Sequence, residues 1–109
     1  MVGAMLLAAA LQTSTFSAFQ SGNELFGMCS EPKGSELFYQ LHSECRGFIV
    51  GVSDLHEALN LRRYCLPKGV TEGQLTDVAV QWIQSHPAER YYAGAELVIK
   101  ALSEAFPCQ

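Results

Sequence analysis

The chain has 109 residues, enough for one domain, and carries 7 basic against 11 acidic residues, a formal charge of −4. That balance excludes an electrostatic nucleic-acid binder, which would show a basic face. The length excludes a Rossmann or barrel enzyme, and a hydrophobic fraction of 49% excludes a disordered chain.

No Lys, Arg, Asp or Glu occurs before Glu24, so the first residues are a different kind of sequence. Residues 2–11 form an apolar run with Met5, Leu6, Leu7 and Ala8 to Ala10, followed by the small and polar stretch from Gln12 to Ala18. Such a run is too short to span a bilayer, which needs about 20 residues, but it matches the apolar core of a secretory signal. The expectation is a signal peptide over residues 1–17, with Thr15 and Ser17 at the two small-residue positions before cleavage, and a mature domain over 18–109. A signal also needs a positive leading segment, and here only the terminal amine supplies charge. The translation start is therefore expected upstream of Met1, which N-terminal sequencing or inspection of the reading frame would check.

Four helices follow in chain order. Ser21-Gly22-Asn23-Glu24 is a capping box, so a short helix is expected over residues 22–29. Pro32, Lys33 and Gly34 make a turn, with Ser35 as N-cap of the next helix. In that second helix Leu41, Cys45, Phe48, Val52, Leu55 and Leu59 recur at spacings of 4, 3, 4, 3 and 4, a single helical face. Gly47 and Gly51 lie four apart on it, and each costs about 1 kcal/mol against alanine. Close approach of another helix backbone is the expected compensation. Pro67 and Gly69 stop any helix beyond Cys65.

Thr71-Glu72-Gly73-Gln74 is a second capping box, and Leu75, Val78, Ala79, Trp82 and Ile83 follow at helical spacing. A fourth helix is expected from Pro87, capped by Ser85 or His86, with Ala95, Val98 and Leu102 on its apolar face and Pro107 beyond its end. No alternating strand pattern and no internal repeat occurs. The fold class is all-α: a small, disulfide-stapled bundle of about four helices.

The cysteines are Cys29, Cys45, Cys65 and Cys108, with no CxxC among them, so zinc-ribbon and thioredoxin motifs are absent. Four cysteines allow three pairings, which sequence cannot separate. Chain order suggests Cys29–Cys45 and Cys65–Cys108, closing loops worth roughly 3 and 4 kcal/mol on the loop-entropy argument. An exported small domain uses such bonds as staples.

Nothing in the chain requires catalysis. His42 and Cys45, three apart on one helix, resemble a nucleophile and its base. However, Cys45 lies on the core stripe and an oxidising compartment would consume its thiol. A metal site from His42, His56 and a cysteine lacks supporting ligand spacing. His86 reads as a helix-start residue, Asp54 and Glu57 as a solvated helix face, and Trp82 as core. No cofactor and no metal are expected, and the chain reads as a binding protein.

The order of motifs carries a resemblance. Ser21-Gly22-Asn23-Glu24-Leu25 leads to Cys29, then come Cys45-Arg46-Gly47-Phe48-Ile49-Val50-Gly51-Val52-Ser53-Asp54 and Tyr64-Cys65-Leu66-Pro67-Lys68-Gly69-Val70-Thr71. His86-Pro87 and a final stretch from Ala101-Leu102 to Phe106-Pro107-Cys108 complete it. The chain resembles the Rap/Tai family of immunity proteins associated with type VI secretion, over about Ser21 to Cys108. Phe48 and Ser53 depart mildly from the family pattern, which often has tyrosine and alanine there.

The resemblance implies a periplasmic, helical, often dimeric protein that neutralises a secreted peptidoglycan amidase. That effector is a papain-like cysteine hydrolase, and the immunity protein blocks its substrate cleft without cofactor or turnover. Mature-form contacts with nucleic acid or membrane are not implied. The matching motifs are mostly scaffold, so the partner surface is expected at exposed polar positions. These are the loop over residues 66–71, with Leu66 and Lys68, and the outer face of the third helix, with Glu72, Gln74, Asp77 and Gln81. Two other classes compete: a periplasmic helical chaperone of the acid-stress type, and a saposin-like lipid binder, which would have more cysteines. A neighbouring gene for a cysteine hydrolase favours immunity.

Overall fold

Ser21 opens the first helix as the capping box requires. Its hydroxyl accepts from the Glu24 amide at 3.1 Å, and the Glu24 carboxylate accepts from the Ser21 amide at 3.0 Å. The computed structural model describes residues 18–109, so the expected signal segment over 1–17 lies outside the described residues. Helix α1 spans Gly22–Cys29 and buries Leu25 and Cys29. At its first residue a Cβ would collide with Leu97 Cδ1 and lie 2.7 Å from the Arg90 carbonyl oxygen. Glycine is therefore required at position 22 by a close approach. The Gly22 and Asn23 amides donate to the carbonyls of Tyr92 and Arg90 at 2.8 and 2.7 Å, and the Gly94 amide donates to Gln20. An isolated antiparallel bridge, Ser21 to Ala93, completes this clasp.

Helix α2 spans Phe38–Ala58. Ser35 does not cap it. The Ser35 hydroxyl accepts from the Leu37 amide at 3.1 Å, which closes the preceding turn, and the helix starts at Phe38 with no side-chain cap. The buried face also differs from the expected stripe. It consists of Cys45, Ile49, Ser53 and His56, while Leu55 and Leu59 are 58% and 59% exposed. Phe48 and Val52 are half-buried beside it. The hydrophobic pattern missed this face because two of its members are polar. Both find partners inside: the Tyr64 hydroxyl donates to Ser53 Oγ at 2.9 Å, and the Arg63 amide donates to His56 Nε2 at 3.0 Å. A buried polar group with a partner avoids most of its desolvation cost.

The expected backbone approach at Gly47 and Gly51 is absent. A Cβ at either position would meet nothing within 4 Å, and both residues are exposed. Helix α2 ends in a Schellman motif: Leu61 N donates to His56 O at 3.2 Å and Asn60 N to Glu57 O at 3.0 Å. Asn60 takes the left-handed conformation this needs, φ 52°, which asparagine tolerates better than most residues.

Helix α3 spans Glu72–Ser85. Thr71 and Gln74 form the second capping box, with amide-to-oxygen distances of 2.9 and 3.1 Å. Leu75, Ala79 and Ile83 are buried and Trp82 packs half-buried, its indole N–H donating to Glu104 at 3.0 Å.

The fourth helix does not begin at Pro87. Pro87–Glu89 is a single 3-10 turn, and helix α4 spans Gly94–Ala105. The carbonyls of Arg90 and Tyr92 are turned to the free amides of α1, so they cannot continue a helical ladder. Arg90 instead closes the end of α3, donating to the carbonyls of Ile83 and Gln84 at 2.9 and 2.8 Å, with its guanidinium 3.7 Å over the Phe26 ring. Helix α4 buries Leu97, Val98, Ala101 and Leu102, whereas Ala95 is half-buried.

The disulfides are Cys29–Cys45 and Cys65–Cys108, the pairing chain order suggested. The first ties the end of α1 to α2. The second ties the connection between α2 and α3 to the last residues of the chain, where the Cys65 amide also donates to Phe106 O at 2.8 Å. Among the described residues the result is an all-α bundle of four helices stapled twice, with its core between all four.

Candidate partner interface

Among the described residues, several surface concavities surround the connection between α2 and α3. This connection leaves the Schellman motif through Arg62, a second non-glycine residue at positive φ, 55°. It is then pinned from three sides. The Arg63 amide bonds His56, Tyr64 is buried with its ring stacked 3.8 Å from the His56 ring, and Cys65 is bound to Cys108. A segment held this way is ordered before any partner arrives, which reduces the entropic cost of binding.

Three clefts open around it. One of about 390 Å³ is walled by His56, Glu57, Asn60, Arg62 and Tyr64. One of about 470 Å³ lies against Pro67, Phe106 and Pro107. A smaller one of about 200 Å³ lies between α2 and α3, lined by Val50, Asp54, Val70, Glu72 and Leu75. Leu66 is a wall of all three. A half-buried leucine shared by three concavities, on a stapled loop, is a pre-ordered apolar surface that a partner could cover at low entropic cost.

The six residues expected to meet a partner divide into two groups. Leu66 and Glu72 line one cleft together, and Lys68 is exposed on the same loop. Gln74, Asp77 and Gln81 are exposed at spacings that place them on one stripe of α3, turned about half a revolution from Glu72. Asp77 belongs to a separate cleft of about 320 Å³ with Tyr39, His42 and Arg46. Gln74 commits its side-chain oxygen to the cap of its own helix.

Side chains that resembled chemistry have structural employment. Cys45 is in a disulfide, so it offers no thiolate to His42, whose Nε2 lies 2.9 Å from the Glu31 carbonyl. His86 stacks on Trp82 at 3.8 Å with its Nδ1 2.7 Å from the Trp82 carbonyl. Among the described residues no group of three or more His, Cys, Asp and Glu side chains is placed to hold a metal ion. No helix among them is long and apolar enough to cross a membrane. Tyr64 is held above the ordinary phenol range by burial, against the lowering effect of its Ser53 hydrogen bond and with Glu57 and Asp54 adding to the rise. It is a buried hydrogen-bond donor to Ser53.

Sequence reasoning missed Ser53, His56 and Tyr64, which together position the loop. A signal existed: continuing from Cys45 by helical steps gives Ile49, Ser53 and His56 in order, but polar residues are discounted in a search for an apolar stripe.

No curated protein matches the chain. The model of one family, described as Rap1a immunity proteins, matches residues 21–108. That range runs from the Ser21 cap to the Cys108 staple and so covers both disulfides, the four helices and the connection that carries the clefts. The chain belongs to the Rap1a immunity proteins.

Proposed function

We propose that this is a periplasmic immunity protein that binds and blocks a type VI secreted peptidoglycan amidase, a papain-like cysteine hydrolase, by occluding its active-site cleft. Family membership supports a non-catalytic partner-binding role. Two disulfides and no free cysteine among the described residues suit an oxidising compartment, reached through the export signal read in residues 1–17. Self-association as a homodimer belongs to the same reading, and sedimentation of the purified mature chain checks it.

The observation that carries the binding mode is the stapled loop with Leu66 at the meeting of three clefts. Leu66, Lys68 and Glu72 form the centre of the proposed contact, and Gln74, Asp77 and Gln81 its outlying stripe. Co-expression with a candidate papain-like peptidoglycan amidase from the same genome, targeted to the periplasm, tests the function: rescue from lysis is expected, and continued lysis with the chain present at equal amounts would overturn it. Calorimetry against the same amidase tests the surface. Charge reversal at Glu72 is expected to weaken binding by about 1–2 kcal/mol and reversal at Asp77 by less. Unchanged affinity in both removes this surface.

A further inference from the structure

The cleft beside the end of α2 holds a polar group that the fold leaves without a hydrogen bond. His56 is only 2% exposed. Its Nε2 accepts from the Arg63 amide, so in the neutral ring the proton sits on Nδ1. That buried Nδ1 makes no hydrogen bond. The Glu57 carboxylate lies 3.4 Å away, within ion-pair reach, but does not form a hydrogen bond with it. Glu57 lines the same cleft and its side chain is 58% exposed, free to swing outward.

The cleft's lining combines one cation, Arg62, with one carboxylate, Glu57. Arg63 and Lys68 are exposed on the same connection as Arg62. None of the three is in an ion pair among the described residues, whereas Lys100 is paired with Glu89 and Arg90 is engaged with two carbonyls. Leu59 and Leu61 stand exposed on either side of Asn60.

Resting on the immunity reading for the identity of the partner, we propose that this cleft is a carboxylate subsite. It takes an acidic side chain of the partner protein, flanked by apolar residues that cover Leu59 and Leu61. The incoming carboxylate accepts from His56 Nδ1–H and pairs with Arg62, and Glu57 is the chain's own placeholder, displaced when the partner binds. A buried donor that gains its acceptor, beside a charge that gains its counterpart, gives a charge-assisted contact stronger than a neutral one.

The test uses the mature chain labelled with nitrogen-15 and a blocked heptapeptide, Gly-Gly-Leu-Glu-Leu-Gly-Gly, with the matching Gln peptide as control. The Glu peptide is expected to shift the amides of residues 60–66 and the His56 ring, and the Gln peptide to bind about tenfold more weakly. Arg62→Gln is expected to weaken the Glu peptide and Glu57→Ala to tighten it, each by several-fold. Tightening is a result that a merely structural Glu57 would not give. Equal shifts from both peptides, shifts only elsewhere on the surface, or no response to either substitution would overturn the subsite. Inhibition of the amidase is scored separately with the same proteins. Peptide binding without inhibition keeps the subsite and removes the immunity reading, and inhibition unchanged by Arg62→Gln with no peptide binding does the reverse.

Discussion

Glu24 is the clearest case of a single residue whose physics is local. The Ser21 amide and, secondarily, the Ser21 hydroxyl hold its carboxylate below the ordinary 4.5, because both donate to the charged form. A carboxylate lowered on folding adds stability that is present above its unfolded value and lost as pH falls through the lowered one. Glu24→Gln keeps a cap-forming side chain but abolishes that titration. The melting temperatures of wild type and variant are therefore expected to differ at neutral pH and to converge below about 4.5; parallel curves would refute the assignment. Tyr64 depends on tertiary structure instead. Its hydroxyl is the donor that satisfies buried Ser53, so Tyr64→Phe leaves Ser53 Oγ without that partner and is expected to cost about 1–3 kcal/mol in urea unfolding. Nothing in the sequence around Tyr64 marks it as core, since its partners lie 8 and 11 positions away on α2.

The helices show which local signals are sufficient. Both capping boxes hold, because all four groups of each box lie within four consecutive residues and need no help from the fold. The start of α4 could not be read that way. Pro87 and His86 carry a valid start signal, and a turn does form there, but α1 takes the carbonyls that a longer helix would need. The face of α2 was likewise decided by its surroundings, with Cys45 drawn inward by Cys29 and two polar residues accommodated by Tyr64 and Arg63. Gly47 and Gly51 supply the prediction at this scale. With open space around both, Gly47→Ala and Gly51→Ala are each expected to stabilise the protein by about 1 kcal/mol, measured by thermal or urea unfolding. Destabilisation by either would mean that something packs on this face in solution.

At the scale of the molecule, the two disulfides carry much of the stability. They span separations of 16 and 43 residues, so loss of Cys29–Cys45 is expected to cost about 3 kcal/mol and loss of Cys65–Cys108 about 4. Paired serine substitutions at each bond, followed by urea unfolding, check both figures. The second bond has a further consequence. It holds the connection beneath the clefts, so its removal is expected to weaken partner binding more than its share of stability explains, whereas removal of the first, which borders only the outlying cleft of Asp77, is expected to weaken binding less. Calorimetry under conditions where both variants remain folded separates the two.

What the sequence determined by itself was whatever depends on neighbours within a few residues: the capping boxes, the helical periodicity, the turn at Pro32, and the all-α class that follows from these. Its ordered motifs also carried the family resemblance. The cysteine pairing suggested by chain order stood among three open choices, and only the packed bundle settled it. The tertiary structure alone decided the rotation of α2, the late start of α4, and the meeting of three clefts at Leu66. Each of these depends on a polar or backbone group finding its partner from a distant part of the chain. Such a partner satisfies a buried group as well as a local one does, but it leaves no trace in local spacing.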